Sequence, residues 1–187
     1  TLVRALIPSG EEPVRSHDLS SLRILASTGE PWNPDPYRWF FEEVGKAELP
    51  IINLSGGTEV GACFLSPHPI SPLEPCTLRG PALGMDVAVF RADGTEAGPG
   101  EVGELVCRRP WPSMTRGLRG DPERYLDAYW RRFPGVWCHG DWASVDEQGS
   151  WFLHGRSDDT MNVAGKRLGP AEVESILMTD PAVTESA

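Results

Sequence analysis

Residues 22–59, LRILASTGEPWNPDPYRWFFEEVGKAELPIINLSGGTE, decide the fold. Residues 22–26 (LRILA) are a short apolar run that reads as a buried strand, and Gly29-Glu30-Pro31 supplies the loop after it. Asn33 is a candidate N-cap, and Pro34 stands at the first helical position, where its fixed φ suits a helix start. Tyr37, Phe40, Phe41 and Val44 then recur at i, i+3, i+4 and i+7, the stripe of an amphipathic helix, and Gly45 suits its C-cap. Residues 50–54 (PIINL) read as a second strand that runs into the glycine turn Ser55-Gly56-Gly57-Thr58-Glu59. Strand, helix, strand and turn make a βαβ-type unit, so the expected fold class is α/β.

Downstream of this unit the texture changes. Pro67, Pro69, Pro72, Pro75 and Pro81 break helices, and the strands shorten. Residues 86–90 (DVAVF) and 101–107 (EVGELVC) flank Asp93-Gly94, a hairpin signal, and predict a small antiparallel, barrel-like subdomain. Asp121-Pro122-Glu123 starts a short helix with Tyr125, Leu126, Tyr129 and Trp130 on its apolar side. Residues 150–154 (SWFLH) read as a strand after the Glu147-Gln148-Gly149 turn. Pro170 opens a last helix, with Val173, Ile176 and Leu177 on one face. No internal repeat is visible.

Composition narrows the function classes. The chain has 187 residues, a length that predicts about one domain, and a net charge of −10. An acidic chain with no long basic run is a poor candidate for nucleic-acid or anionic-membrane binding. Gly (20) and Pro (18) form roughly a fifth of the chain, short of low complexity. With 40% hydrophobic residues and seven Trp, the chain reads as loop-rich and globular. No apolar run approaches the roughly 18 residues of a spanning helix. Cys63, Cys76, Cys107 and Cys138 lie far apart without a C-x-x-C pair, which points to a reducing cytoplasm over a disulfide or zinc framework.

Three segments carry potential chemistry. In Ser55-Gly56-Gly57-Thr58-Glu59, glycines let backbone N–H groups approach a phosphate, a hydroxyl can bind it, and a carboxylate can hold Mg²⁺. An ordinary glycine turn is the competing reading, and no Lys follows as in a P-loop. In His139-Gly140-Asp141, an Asp at a strand end can accept both vicinal hydroxyls of a ribose, or it can serve as an Asx-turn residue. Without an accompanying nucleophile motif, His139 reads as structural. The third segment runs from Gly155-Arg156-Ser157-Asp158-Asp159 through Gly165-Lys166-Arg167-Leu168-Gly169 to Glu172-Val173-Glu174. Arg156 and Arg167 suit an oxyanion or hydroxyl, and a solvated, salt-bridged loop is the alternative.

Taken in order, Gly29-Glu30-Pro31, Gly57-Thr58-Glu59, Gly140-Asp141, Gly155-Arg156-x-Asp158-Asp159 and Gly165-x-Arg167-x-Gly169-x-x-Glu172-x-Glu174 resemble the AMP-forming acyl-CoA synthetases of the adenylate-forming superfamily. The pattern is most similar to the acetyl-, acetoacetyl- and related short-chain members and covers nearly the whole chain. The resemblance implies ATP, Mg²⁺ and CoA as the small molecules used, together with a carboxylic acid, and no nucleic-acid or membrane partner. It implies that Gly29, Glu30 and Pro31 wall the adenine pocket. Thr58 matches a phosphate-contacting hydroxyl and Glu59 the Mg²⁺-associated carboxylate. Asp141 matches the ribose-binding residue, Arg156 a neighbour of the ribose, and Arg167 an arginine near the phosphate. By the same resemblance Ser55, Gly56 and Gly57 border the acyl pocket, Gly165 lines the CoA channel, and Asp158 is the hinge. Thr58, Glu59 and Arg167 are the implied catalytic group.

The resemblance also sets expectations for organisation. Residues 1–157 should be the C-terminal part of a large AMP-binding domain, with an α/β portion over about 1–66 and a β-rich part over 67–157. Residues 158–187 should hold the hinge and the start of a small C-terminal α+β domain. The family's phosphate loop is expected before residue 1 and its adenylation lysine beyond residue 187, so the chain alone is expected to be inactive. Gly56 stands where acetyl-specific members carry a Trp that closes the acyl pocket, which implies a larger acyl group than acetate. An adenylation domain that loads a carrier protein, or a non-catalytic nucleotide-binding remnant, are the alternatives.

Overall fold

The structure, a computed structural model, describes residues 2–158, 161–163, 166–168, 170–178, 180 and 182–183. Two short helices, α1 (Leu2–Leu6) and α2 (Glu12–Arg15), precede strand β1 (Leu25–Ser27). Helix α3 (Pro34–Trp39) continues as a π-helical turn over Phe40–Val44, and strand β2 (Ile51–Asn53) follows. Strands β1 and β2 pair in parallel with Leu25 opposite Ile51, so the βαβ reading holds. Leu25, Tyr37 and Ile51 are its buried core, with Trp32, Phe40, Phe41 and Val44 packed against them. Asn33 is extended ahead of the helix but makes no side-chain cap bond. Gly45 is the C-cap, as expected, with φ −82° and its N–H donating to the Phe40 carbonyl, while Lys46 and Ala47 after it take positive φ values. Its lack of a side chain has a packing cause, because a Cβ there would lie 2.6 Å from the Phe41 carbonyl oxygen.

Strands β3 (Ser55–Gly57) and β4 (Ala62–Leu65) form an antiparallel pair. The Ser-Gly-Gly run is therefore a strand, and the turn begins only after it. A Cβ on Gly56 would sit 2.3 Å from the Ala62 carbonyl oxygen, so the close approach of the two backbones requires glycine there.

The largest sheet has four antiparallel strands in the order β5 (Val87–Phe90), β6 (Gly103–Cys107), β7 (Trp137–Val145) and β8 (Trp151–Arg156). Asp93-Gly94 makes the expected turn between β5 and β6: the Asp93 carboxylate accepts from the Thr95 N–H, and Gly94 has φ 82°. The expected barrel-like curvature comes from residues 78–82. Leu78 bridges to Trp151 on β8 while Pro81 bridges to Leu65 on β4, so β3 and β4 wrap onto the sheet.

Alternation along the strands separates two cores. Val87, Val89, Leu105, Cys107, Trp137 and Ala143 face Phe64, Leu65 and Trp111, whereas Ala88, Val106 and Cys138 face Phe133. Helix α4 (Pro122–Tyr129) is capped as expected, with the Asp121 side chain accepting from the Arg124 N–H, and it adds Tyr125 to the first core. The rings of Tyr129 and Trp137 stack at 4.1 Å. A buried aromatic of this size removes roughly 150–250 Å² from water. At about 25 cal/mol per Å² that contributes at most roughly 4–6 kcal/mol, enough to pin the start of β7.

Strands β9 (Met161–Val163) and β10 (Lys166–Leu168) form an antiparallel hairpin, and helix α5 (Pro170–Leu177) packs against β8. Ile176 and Leu177 are exposed. Among the described residues no helix is long and apolar enough to cross a membrane.

Candidate functional site

The site is built where β7 departs from regular pairing. Val106 pairs with Cys138 and Glu104 with Trp142, so three residues, 139–141, face the single residue 105. A bulge of this kind bends the strand and re-aims its side chains. Gly140 makes the bend with φ 86°, and a Cβ on it would lie 2.7 Å from an Arg156 guanidinium nitrogen. The positive φ favours glycine here, and a larger residue would also have to displace the mobile end of Arg156. The bulge delivers His139 and Asp141 to the end of the sheet beside Arg156, which is opposite Asp141 in the β7–β8 register.

The turn between β3 and β4 meets them there. The N–H groups of Val60 and Gly61 both donate to the Gly57 carbonyl, 3.1 Å each, and leave Thr58 and Glu59 at the apex. A loop following β6 holds this turn from below: Trp111 Nε1 donates to the Val60 carbonyl at 2.7 Å, Ser113 Oγ donates to it at 2.9 Å, and the Thr115 N–H donates to the Glu59 carbonyl at 3.0 Å. Thr58 is exposed next to Glu59.

Four of the residues singled out from sequence, Glu59, Asp141, Arg156 and Asp158, therefore come together. Arg156 donates to Asp141 Oδ1 at 3.3 Å and makes two bonds to Asp158, 2.8 Å and 2.6 Å. These bonds hold the Asp158 carboxyl below its ordinary range. Burial pushes the Asp141 carboxyl upward, against the opposing pull of His139 and Arg156.

His139, which reads as structural in the sequence, lies between the two carboxylates. Its Nδ1 is 3.7 Å from Glu59 Oε1 and its Nε2 is 3.7 Å from Asp141 Oδ2. The ring packs edge-on to Phe64, 4% of the residue is exposed, and burial lowers its pKa despite both acids. The imidazole is thus held neutral.

Beneath the site lies a residue that the motifs do not include. Glu104 has no exposed surface, yet it sits in the apolar strand GELVC. It accepts from Arg132, from Ser157 Oγ at 2.7 Å and from Cys138 Sγ at 3.3 Å. Burial and Glu104 push the Cys138 thiol up to about 12, so this cysteine is an inert donor. The Ser157 N–H also donates to the Gly140 carbonyl at 2.8 Å. The residue between Arg156 and Asp158 is therefore tied both to the bulge and to the buried carboxylate. The signal for Glu104 in the sequence is an acidic residue within an otherwise apolar strand.

The remaining sequence candidates belong to the loop after β1, to β3 and to the β9–β10 hairpin, or lie outside what is described. Gly29, Glu30 and Pro31 belong to the loop after β1, where Arg4 pairs with Glu30 at 3.3 Å. Ser55 is buried, and Gly56 and Gly57 are half-buried in β3. Arg167 pairs through its backbone with Asn162 in the β9–β10 hairpin, and Gly165 lies outside the described residues. Among the described residues no group of three or more His, Cys, Asp or Glu is arranged to hold a metal by itself. Glu59 does fit a cation shared with a ligand: a Cβ on Gly57 would lie 2.8 Å from Glu59 Oε1, so the glycine leaves the space beside the carboxylate clear. Mg²⁺ characteristically takes one or two carboxylates and completes its shell with water and phosphate oxygens.

Similarity to known proteins points to one family. The family profile described as AMP-binding enzyme matches residues 1–118. An acetyl-coenzyme A synthetase of Chlorobaculum tepidum is 46% identical over 188 residues, covering 100% of this chain and 28% of that protein. One from Rubrobacter xylanophilus is 43% identical over 189 residues, covering 100% of this chain and 29% of the relative. Among solved structures, the acetoacetyl-CoA synthetase from Streptomyces lividans superposes with a TM-score of 0.83 at 38% identity, over 98% of this chain and 28% of that one. The anthranilate CoA ligase AuaEII, in complex with anthranoyl-AMP, gives a TM-score of 0.74 at 29% identity, over 95% of this chain and 34% of that one. The chain spans under a third of the curated relatives it matches, 28% of the first. With its α/β unit, its wrapped antiparallel sheet and its profile match over residues 1–118, this chain belongs to the AMP-binding enzyme family.

Proposed function

We propose that this chain is a section of an ATP-dependent, AMP-forming acyl-CoA ligase that activates a carboxylic acid as an acyl-adenylate and passes the acyl group to CoA. The observation that carries this reading is the convergence of Glu59, Asp141 and Arg156 from three separate segments at the bulged end of the sheet. In this reading Asp141 accepts the two ribose hydroxyls, which leaves Arg156 to brace its carboxylate from the β8 side. Thr58, exposed at the turn apex, is in place to donate to a phosphate. Glu59 is the residue that would hold Mg²⁺, which when bound neutralises phosphate charge.

No general base is required. A carboxylic acid is already ionised near neutral pH, so its attack on the α-phosphate depends on positioning and on charge neutralisation. Two further features fit this chemistry. His139 is held neutral and buried and so is poorly suited to proton transfer. The Cys107 and Cys138 thiols are pushed up by burial and are not nucleophiles. The division at residue 158, with Asp158 as hinge, belongs to the same reading, because adenylation and thioester formation demand different partners around one adenylate. So do the roles of Gly165 and Arg167, the preference for a short- or medium-chain acid, and a cytoplasmic location. Four unpaired cysteines support the last of these.

The decisive experiment is carboxylate-dependent ATP–pyrophosphate exchange in the complete protein that carries this chain, with acetate, butyrate and acetoacetate compared. Wild type should exchange, and Asp141→Ala should weaken ATP binding by at least about tenfold, because each lost bond between a charged acceptor and a hydroxyl costs about 1.5–3 kcal/mol. Unchanged ATP affinity in a folded Asp141→Ala protein refutes the ribose assignment.

A further inference from the structure

Helix α4 places two tyrosines on its apolar side, and their hydroxyls differ. Tyr125 is buried, and its hydroxyl donates to the Thr115 carbonyl at 2.7 Å. Tyr129, one turn on, is half-buried, and no hydrogen bond among the described residues engages its hydroxyl. Its ring, by contrast, is firmly held. It lies flat on the Trp137 indole, with centroids 4.1 Å apart and planes 8° apart. Trp137 meets Trp111 edge-on, and Trp111 bonds the Val60 carbonyl of the turn that carries Glu59. A rigid aromatic stack thus holds the phenol at the start of β7, two residues before His139. The charged groups that act on this phenol belong largely to the site. Burial raises its pKa most, Glu59 and Asp158 add to the rise, and Arg156 and Arg124 oppose it. The phenol therefore stays protonated near neutral pH and is available as a donor.

We propose that Tyr129 is a ligand-binding residue whose hydroxyl donates to the α-phosphate of the bound nucleotide, the phosphate that the carboxylic acid attacks. The proposal deepens the nucleotide reading above and rests on it. The choice of phosphate follows from the neighbours. In that reading Glu59 marks the phosphate end of the site, and Arg156, bonded to Asp141, marks the ribose end. The phenol is acted on from both ends, and the α-phosphate is the group that joins them covalently. A donor on a ring already fixed by Trp137 needs no reorganisation as charge develops on that phosphate.

The test is Tyr129→Phe in the complete protein, a change that keeps the ring for Trp137 and deletes only the hydroxyl. Binding of AMP and of adenosine is measured by calorimetry, and the ³¹P resonance of bound AMP is compared with that in wild type. Loss of one hydrogen bond to a charged group should weaken AMP at least about tenfold, leave adenosine within about twofold, and move the ³¹P resonance. Asp141→Ala should instead weaken both ligands, because both carry the ribose. Unchanged AMP binding in Tyr129→Phe, equal losses for AMP and adenosine, or an unmoved ³¹P resonance overturns the proposal. A loss confined to ATP, with AMP unaffected, puts the phenol on the leaving pyrophosphate and overturns it too. Wild-type protein that binds neither AMP nor adenosine overturns the nucleotide reading itself, a failure distinct from the others.

Discussion

Arg132→Leu should destabilise the complete protein far more than Glu104→Leu, although both changes break the same ion pair. The two partners differ in access to water: 34% of the Arg132 side chain is exposed, and none of Glu104. When Glu104 is replaced, Arg132 turns to solvent, Ser157 loses an acceptor worth about 1 kcal/mol, and the desolvation of a buried carboxylate is relieved. The net loss should be about 1 kcal/mol or less. When Arg132 is replaced, the carboxylate stays in the sheet with Ser157 and Cys138 as its donors among the described residues. An uncompensated buried charge costs about 3–5 kcal/mol, and the surviving Ser157 bond argues for the lower end. Lost contacts of the guanidinium with Phe133 and Trp142 add roughly 0.5–1 kcal/mol. The double variant removes the stranded charge and should recover about 2 kcal/mol of the Arg132→Leu loss, a coupling readable from a thermal or urea double-mutant cycle. Equal losses in the two single variants, or strict additivity in the double, would show that Glu104 is hydrated or neutral and that the network is not what fixes Ser157.

Two further outcomes follow from particular distances and environments. Gly56→Ala should lose about 1–2 kcal/mol, since its Cβ would press on the Ala62 carbonyl, whereas Gly98→Ala, whose Cβ would meet neighbours only at 3.8 Å, should be neutral; equal melting temperatures for the pair would remove the packing account of Gly56. For pH, burial raises the Asp141 carboxyl, so the group we propose as acceptor of the ribose hydroxyls is protonated at a higher pH than an ordinary Asp near 3.9. AMP affinity should therefore fall on acidification above that value, with Asp141→Asn weak and flat throughout, and a wild-type profile that stays level down to pH 4 contradicts the assignment.

The parts of the fold that are legible in the sequence are those set by local rules. The apolar stripe from Tyr37 to Val44 fixes one helix face, and the parallel pairing of β1 with β2 follows from its position between two short apolar runs. Asp121 and Asp93-Gly94 act through their own backbone neighbours, so their roles need no distant partner to be read. The misreading involves a glycine whose cause is nonlocal. Gly56 looks like a turn residue, or a missing pocket wall, and is a strand residue constrained by Ala62 across the ladder. This gives its lack of a side chain a cause independent of acyl size. Gly45 is the cap it looks like, and its closeness to the Phe41 carbonyl adds a packing constraint that the cap reading alone does not contain. Glycine signals both torsional freedom and close approach, and sequence alone does not separate the two.

The site shows the same division at a second level. Motif residues name Glu59, Asp141 and Arg156, but nothing in their spacing says what sits between them. That information lies in the bulge, where three residues of β7 stand opposite one of β6 and turn His139 inward and Asp141 toward Arg156. A bulge is a mismatch between two strands and has no signature in either strand taken alone. It also explains why Glu104 lies where it does. Where β7 departs from the ladder, the backbone beneath it needs another tether, and Glu104 binds Ser157, whose N–H holds the Gly140 carbonyl at 2.8 Å. The buried carboxylate therefore holds the base of the bulge from which His139 and Asp141 project. Glu104→Leu should therefore disturb AMP binding through Arg156 and Asp158 while leaving the Mg²⁺ requirement that we propose for Glu59 nearly untouched, a split that general loosening of the sheet would not produce.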